Sequence, residues 1–262
     1  MQSLEMFVRC LQSEWIKQKR SLGSWLTIVG ALFTPGIVLV ARLLHYRTLP
    51  TLYAADDFWQ SMWRSSWESM AVFFAPMAAI LATSLVAQIE YRNNAWKQVC
   101  ALPLSSATLY FGKLLVVLAL IAQFFIFFDV SVYISAVIPC LLRLAPYPHA
   151  PLPLHAFLTD TVQYAIATLP IVCAEYLLSI QFKNFLVPVG VGFLAWVAAL
   201  ASLSWKYGYL IPYAYSIMTY LQSYPKQALP VPALPLRWLV SAYTMGFCIT
   251  GYVLFVRKRV RG

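Results

Sequence analysis

Between Lys113 and Arg143 the chain reads LLVVLALIAQFFIFF over residues 114–128, then Asp129, then VSVYISAVIPCLL over 130–142. A single charge in that distance is too few for a helix bathed in water, and about 20 apolar residues suffice to cross the hydrocarbon core of a bilayer. Five further stretches read alike. Arg20 to Arg42, Glu68 to Glu90, Lys183 to Lys206 and Arg237 to Arg257 enclose no charge, and Asp160 to Lys183 encloses only Glu175. Each is long enough to span at about 1.5 Å rise per residue. The pattern predicts an all-α integral membrane protein with six transmembrane helices, over about 22–43, 69–89, 110–138, 157–181, 185–205 and 236–256. A transmembrane barrel would need segments of about ten residues with alternating polarity, and none occurs.

Composition agrees. Of 262 residues 61% are hydrophobic and 11% charged, whereas a soluble domain is about half apolar and a quarter charged. A chain this apolar must bury its surface in protein or lipid, which excludes disorder. With both termini cytoplasmic, twelve of the nineteen Lys and Arg residues face the cytoplasm: Arg9, Lys17, Lys19, Arg20, Arg92, Lys97, Lys113, Lys183, Arg257, Lys258, Arg259 and Arg261. That bias sets the orientation. The net charge of +10 then reads as topology and contact with anionic lipid, not as nucleic-acid binding.

Residues 1–20 place Leu4, Phe7, Val8, Leu11 and Trp15 on one helical face and Glu5, Arg9, Gln12 and Ser13 elsewhere. This predicts an amphipathic helix in the inner membrane interface, with a frayed solvated tail as the plainer alternative. A six-helix membrane domain follows over 21–256, then a basic tail over 257–262. Five scattered cysteines without a Cys-x-x-Cys pair argue against a disulfide framework or zinc site. His149 and His155 flank Pro146, Pro148, Pro151 and Pro153, a spacing better suited to a stiff extended loop than to a metal. Gly112-Lys113 lacks the earlier glycine and the hydroxyl residue of a P-loop, and no nucleophile elbow or His-Glu-x-x-His occurs. Any ATP-derived energy must then come from a partner.

Two acids stand inside expected spans. Asp129 lies among Phe124, Phe125, Phe127 and Phe128, and Glu175 lies in span four, neither with a basic residue near its depth. Each needs a hydrogen bond or a polar cavity. Tyr133, Tyr164, Tyr176 and Ser179 are possible structural partners, with Tyr176 and Ser179 nearest for Glu175; alternatively the acids line a substrate pathway. Trp59, Trp63 and Trp67 recur at i, i+4 and i+8 on one helical side. They fit an outer aromatic belt, the more general arrangement, or a vestibule for an amphipathic substrate.

The loop between spans two and three runs Glu90-Tyr91-Arg92-Asn93-Asn94-Ala95-Trp96-Lys97-Gln98, then Leu102-Pro103-Leu104-Ser105-Ser106. Asn93 or Asn94 can cap a short helix, Pro103 ends it, and Ser105 or Ser106 caps the next. An ordinary connector with an interfacial Trp would look similar. The run Glu-x-x-x-Asn-x-Trp-Lys, then Leu-Pro-x-Ser and the later Lys113, resembles the permease subunits of ATP-binding-cassette (ABC) type-2 exporters, nearest the lantibiotic and bacteriocin self-immunity branch. Glu14-x-x-Lys17 with Lys19, Arg20 and Ser21 before span one, Pro35 within it, and Ser179 to Asn184 followed by Pro188 and Gly190 are similar to that family as well.

The resemblance implies a permease in a bacterial cytoplasmic membrane that performs no chemistry and binds no cofactor. ATP and Mg²⁺ would sit on two separate ATPase subunits, and a second copy or a sister permease would complete the transporter. Residues 92–101 would form the coupling helix, so Glu90, Arg92, Asn93, Asn94, Trp96 and Lys97 become coupling residues, with Gln181, Lys183 and Asn184 as a smaller contact. The cargo would be hydrophobic or amphipathic, such as an antimicrobial peptide, with Asp129 and Glu175 as pathway candidates. Two other classes fit parts of the sequence: a channel or scaffold without an ATPase, and an intramembrane enzyme using Asp129 and Glu175 as an acid–base pair.

Overall fold

Backbone amides in hydrocarbon find partners only within their own segment, so each uncharged stretch folds as a helix. A computed structural model describes residues 2–19, 21–92, 104–224 and 235–261, with helices, turns and connecting segments and no strand among the described residues. The helices are α1 (Gln2–Gln18), α2 (Leu22–Leu44), α3 (Leu49–Tyr53), α4 (Phe58–Ser69), α5 (Ala75–Arg92), α6 (Ser106–Leu141), α7 (Leu154–Gln181), α8 (Leu186–Ala201), α9 (Tyr215–Ser223) and α10 (Leu236–Arg261). Five rods are long and apolar enough to cross a membrane: α2, α4 joined to α5 over Phe58–Tyr91, α6, α7, and α10 over Leu236–Lys258. Together with the family assignment given below, this makes a multi-pass membrane protein.

Two expected boundaries move. The second rod begins at Phe58 rather than 69, because α4 is an amphipathic extension. Trp59, Met62, Trp63, Ser66 and Trp67 are buried while Gln60, Ser61, Ser65 and Glu68 are exposed, the 3.6-residue spacing of a helix with one face inward. The fifth expected span is α8, which has only 16 residues and stops at Ala201 instead of 205. The turn after it folds back so closely that a Cβ on Gly208 would collide with the Ser202 carbonyl. Only glycine fits there.

Between α4 and α5 the rod widens into a π turn over Met70–Phe74. Such a turn disturbs the usual ladder of carbonyls, and the Val72 carbonyl accepts the Trp196 indole N–H from α8 at 2.8 Å. At its far end α6 stops at Arg143, whose φ of 57° is left-handed. The next amide, Leu144 N–H, reaches back to the Pro139 carbonyl at 3.0 Å, the closing bond of a Schellman cap.

The rods pack as a bundle: α2 lies along α6, α5 along α7, and α7 along α10. One end, here the terminal end, holds α1, the last turns of α5, α7 and α10, and the first turns of α2 and α6; the opposite end holds α3, α4 and the 144–153 loop. α1 lies against the start of α6 through Cys10, Glu14 and Gln18, all buried, while Val8, Trp15 and Ile16 stay exposed. Thus α1 docks on the bundle by a narrow, partly ionic edge.

Candidate functional site

At the terminal end, four charged side chains meet. Lys113 Nζ donates to Glu14 Oε2 at 2.9 Å and to Glu90 Oε1 at 2.6 Å. Lys17 Nζ donates to Glu14 Oε1 and, at 3.4 Å, to Glu90 Oε1. Glu14, Glu90 and Lys113 are 5%, 1% and 4% exposed. Two acids and two bases leave no net charge. That balance matters, because an uncompensated buried ion costs several kcal/mol.

The cluster joins three elements: Glu14 and Lys17 from α1, Glu90 from the end of α5, and Lys113 from the second turn of α6. Burial alone would push the Glu14 carboxyl up, but Lys113 and then Lys17 outweigh it and hold it below its ordinary value. Burial pulls Lys17 down, and its bonds to Glu14 and Glu90 more than reverse this. Beneath α1, burial pushes the Cys10 thiol up; Cys10 Sγ would lie 3.5 Å from a Cβ on Gly112.

The 181–184 turn is held from the same end of α5. Gln88 Nε2 donates to the Lys183 carbonyl at 2.9 Å, and Tyr91 O–H to the Ile180 carbonyl at 3.0 Å. From α10, Lys258 Nζ donates to the carbonyls of Ile180 and Gln181 at 2.7 and 3.0 Å and to the Tyr91 hydroxyl at 2.7 Å. A cation there complements the partial negative charge of the α7 C-terminus. Asn184 Oδ1 accepts the Leu186 amide at 3.0 Å, so it starts α8. Gln181 Nε2 is buried with no hydrogen-bond partner among the described residues.

Of the coupling residues expected from the sequence, Asn93, Asn94, Trp96 and Lys97 lie outside the described residues, as does the Arg92 side chain. Glu90, named with the coupling residues, is buried, 1% exposed. It lies in the interior ion cluster, because Lys113, one turn inside the next rod, needs a counter-charge. The cluster itself was not foreseen. Glu14-x-x-Lys17, Glu90 and Lys113 were noted separately, and a lone Lys one turn into an apolar run was the signal that could have joined them.

Within the bundle the two acids sit apart, Asp129 nearer the opposite end and Glu175 six residues before the end of α7 at the terminal end. Asp129 Oδ2 accepts the Thr161 hydroxyl at 2.9 Å, and Oδ1 is buried with no partner among the described residues. Glu175 is wholly buried, with Oε1 accepting the Tyr213 hydroxyl and Oε2 left without a partner among the described residues. Neither uses the expected structural partners. Tyr176 O–H donates to the Tyr110 carbonyl and Ser179 Oγ pairs with Ser84 Oγ, whereas Tyr213 arrives from the turn before α9. α8 packs tightly on Glu175, since a Cβ at Gly192 would collide with its carboxyl. The acids share no hydrogen-bond partner, which gives an acid–base pair no support.

The tryptophans do not form a lipid-facing belt. Trp59, Trp63 and Trp67 are 2%, 3% and 0% exposed, because the faces of α6 and α7 offer rings to stack on. Trp63 lies parallel to Phe157 with centroids 4.0 Å apart, and Trp67 lies against Tyr164 at 3.9 Å. Trp59 and Trp63 turn their N–H groups away, to the Ala150 carbonyl at 2.9 Å and to Asp160 Oδ2 at 3.1 Å. Beside them opens a cavity of about 400 Å³, lined by Trp59, Trp63, Tyr133, Phe157 and Asp129 among others.

Among the described residues no cluster of His, Cys, Asp and Glu could hold a metal ion. Residues 10–199 match the family model described as ABC-2 family transporter protein, well over half of the chain. No curated protein matches it.

Proposed function

The chain belongs to the ABC-2 transporter family and is a membrane permease component of an ABC transporter, a premise from which we propose how it couples to its motor. Association with ABC ATPases is general to this family. In the proposed assembly two ATPase subunits, carrying ATP and Mg²⁺, dock at the terminal end, and a second permease, identical or sister, completes the pore. Both termini and the 92–101 loop then face the cytoplasm of a bacterium, α1 lies in the inner interface, and α8 serves as a short sixth span. The substrate is hydrophobic or amphipathic, an antimicrobial peptide being the example the family resemblance suggests.

The supporting observation is the last turn of α5. Within four residues Gln88 holds the 181–184 turn, Glu90 holds α1 and α6 through Lys113, and Tyr91 holds the end of α7 and Lys258 of α10. The 92–101 loop leaves from that turn. A push on the loop is therefore delivered at once to α1, α5, α6, α7 and α10, which is what a lever between motor and pore requires. Closure of the ATPases does work on the permease only through contacts that differ between its two states. Trp96 and Lys97 supply such contacts, and the bonded turn behind them spreads the displacement.

The test is Trp96→Ala with Lys97→Ala in the full transporter. We expect normal membrane insertion, loss of substrate-stimulated ATP hydrolysis, and weakened co-purification of the ATPase. Wild-type stimulation in the double variant would refute the coupling reading. Failure of the wild-type protein to bring down any P-loop ATPase would favour the channel or scaffold instead.

A further inference from the structure

Glu175 is a buried acid that the coupling path does not use. Its carboxyl lies where three other elements meet. Tyr213, in the turn before α9, donates its O–H to Oε1. Gly192 of α8 comes so close that an added Cβ would collide with the carboxyl and would lie 3.0 Å from Ile80 of α5. Glu175 is wholly buried, and its Oε2 has no hydrogen-bond partner among the described residues.

No counter-charge stands beside it. Tyr213 is the one titratable or charged group facing the carboxyl among the described residues. On α5, Ser84 is paired with Ser179. On α10, which carries no charge between Arg237 and Arg257, Tyr243 donates to the Leu210 carbonyl and Tyr252 packs on Tyr110. On α7 itself, Tyr176 turns away to the Tyr110 carbonyl. A carboxylate in this place would be a buried ion without compensation. A protonated carboxyl fits. Its Oε1 still accepts from Tyr213, and its Oε2 holds a neutral O–H, whose burial costs less than that of a charge.

We propose that Glu175 is a proton-binding site that governs the docking of α8. With the proton on Oε2, Gly192 closes over the carboxyl. Without it, the carboxylate draws in water and parts α8 and Tyr213 from α7. The proton leaves Oε2 for that water and returns from it, and no other bond forms or breaks. Trp196, one turn on from Gly192, donates to the Val72 carbonyl of the π turn, so its indole reports whether α8 is docked. The switch goes beyond the coupling reading and does not rest on it, since it belongs to the permease alone, without ATP or an ATPase.

The experiment uses the full chain in nanodiscs of zwitterionic lipid, read by infrared spectroscopy and by fluorine NMR of protein labelled with fluorotryptophan. At neutral pH we expect a protonated-carboxyl band that is lost in Glu175→Gln and kept in Asp129→Asn. Tyr213→Phe should shift it, because the hydrogen bond to Oε1 is gone. Raising the pH should abolish the band and move the Trp196 resonance with one shared midpoint. In Glu175→Gln, which is neutral at every pH, that resonance should stay in place. No such band in the wild type, or a band unchanged in Glu175→Gln, would overturn the proposal. So would a Trp196 resonance that titrates alike in Glu175→Gln, or a band that survives until the protein unfolds in alkali. If Glu175→Gln folds poorly, the Tyr213→Phe shift and the shared midpoint in the wild type still decide, and the absence of either would refute the switch.

Discussion

At the terminal end Glu14, Lys17, Glu90 and Lys113 share one buried cluster, whereas within the bundle Asp129, nearer the opposite end, and Glu175, six residues before the end of α7, each rely on a single hydroxyl. Both regions bury ionisable groups, yet in different currencies. The cluster balances charge against charge, so removing one member leaves an orphan ion. The lone acids are only hydrogen-bonded; each retains an oxygen with no partner among the described residues, as Glu90 does within the cluster, but neither has a counter-charge bonded to it. A region where every charge is matched suits transmission of force.

The largest effect is expected from Lys113→Met, which leaves two buried acids, Glu14 and Glu90, to the half-exposed Lys17 alone. It should destabilise the protein by about 3–5 kcal/mol, the usual result of removing one partner of a buried pair, read by denaturant unfolding in detergent. Adding Glu14→Gln and Glu90→Gln should recover most of that loss. No recovery would mean that packing, not charge matching, governs the cluster.

Next comes Trp63→Ala, which removes the Phe157 stack and the bond to Asp160. A loss of about 3 kcal/mol is expected, as for other large-to-small changes at buried aromatics. A cost under about 1 kcal/mol would return the tryptophans to a lipid-facing role. A smaller effect should follow pH. Because Glu14 is held below its ordinary value of 4.5, its stabilisation is complete above pH 4.5 and is lost as pH falls through the lower folded value. For Lys17, raised above 10.5, the contribution is complete below pH 10.5 and fades as pH climbs past the folded value. Cys10, buried under α1, should become open to a thiol reagent on acidification. Unchanged labelling down to the folded Glu14 value would separate α1 docking from the ion pairs. Smallest of all, Asp129→Asn should shift stability by less than about 1 kcal/mol, since the Thr161 bond can be kept; a loss like that of Lys113→Met would erase the contrast between the two regions.

Most of the bundle was legible because charges cannot be placed freely in hydrocarbon, so Arg20, Arg42, Glu90, Lys113 and Lys183 bracket the rods. The spacing of Trp59, Trp63 and Trp67 also revealed a shared helical face. Periodicity does not say which way a face turns, however. Here the inward choice depends on Phe157 and Tyr164, about a hundred residues away in sequence. Tyr213 was illegible for a similar reason, as it meets Glu175 only because the chain folds back after α8. The ion cluster falls between: each member was visible, but their meeting requires α1 to fold back along α6.

In the proposed arrangement, with α8 as a sixth span, its brevity has a mechanical consequence. With 16 residues it extends about 24 Å, while α6, with 36 residues, extends about 54 Å, and a typical hydrocarbon core is about 30 Å. Leu186 and Leu194 of α8 are 70% and 68% exposed, so the rest of this chain does not cover the helix. Lipids beside it must compress or its ends must be drawn inward, at a cost of fractions of a kcal/mol per Å. With α8 as a sixth span, hydrophobic mismatch would make bilayer thickness an input to this protein, graded across one flank of the bundle. Activity reconstituted in short-chain lecithins should exceed that in long-chain ones, and equal activity in both would show that α8 is indifferent to the membrane around it.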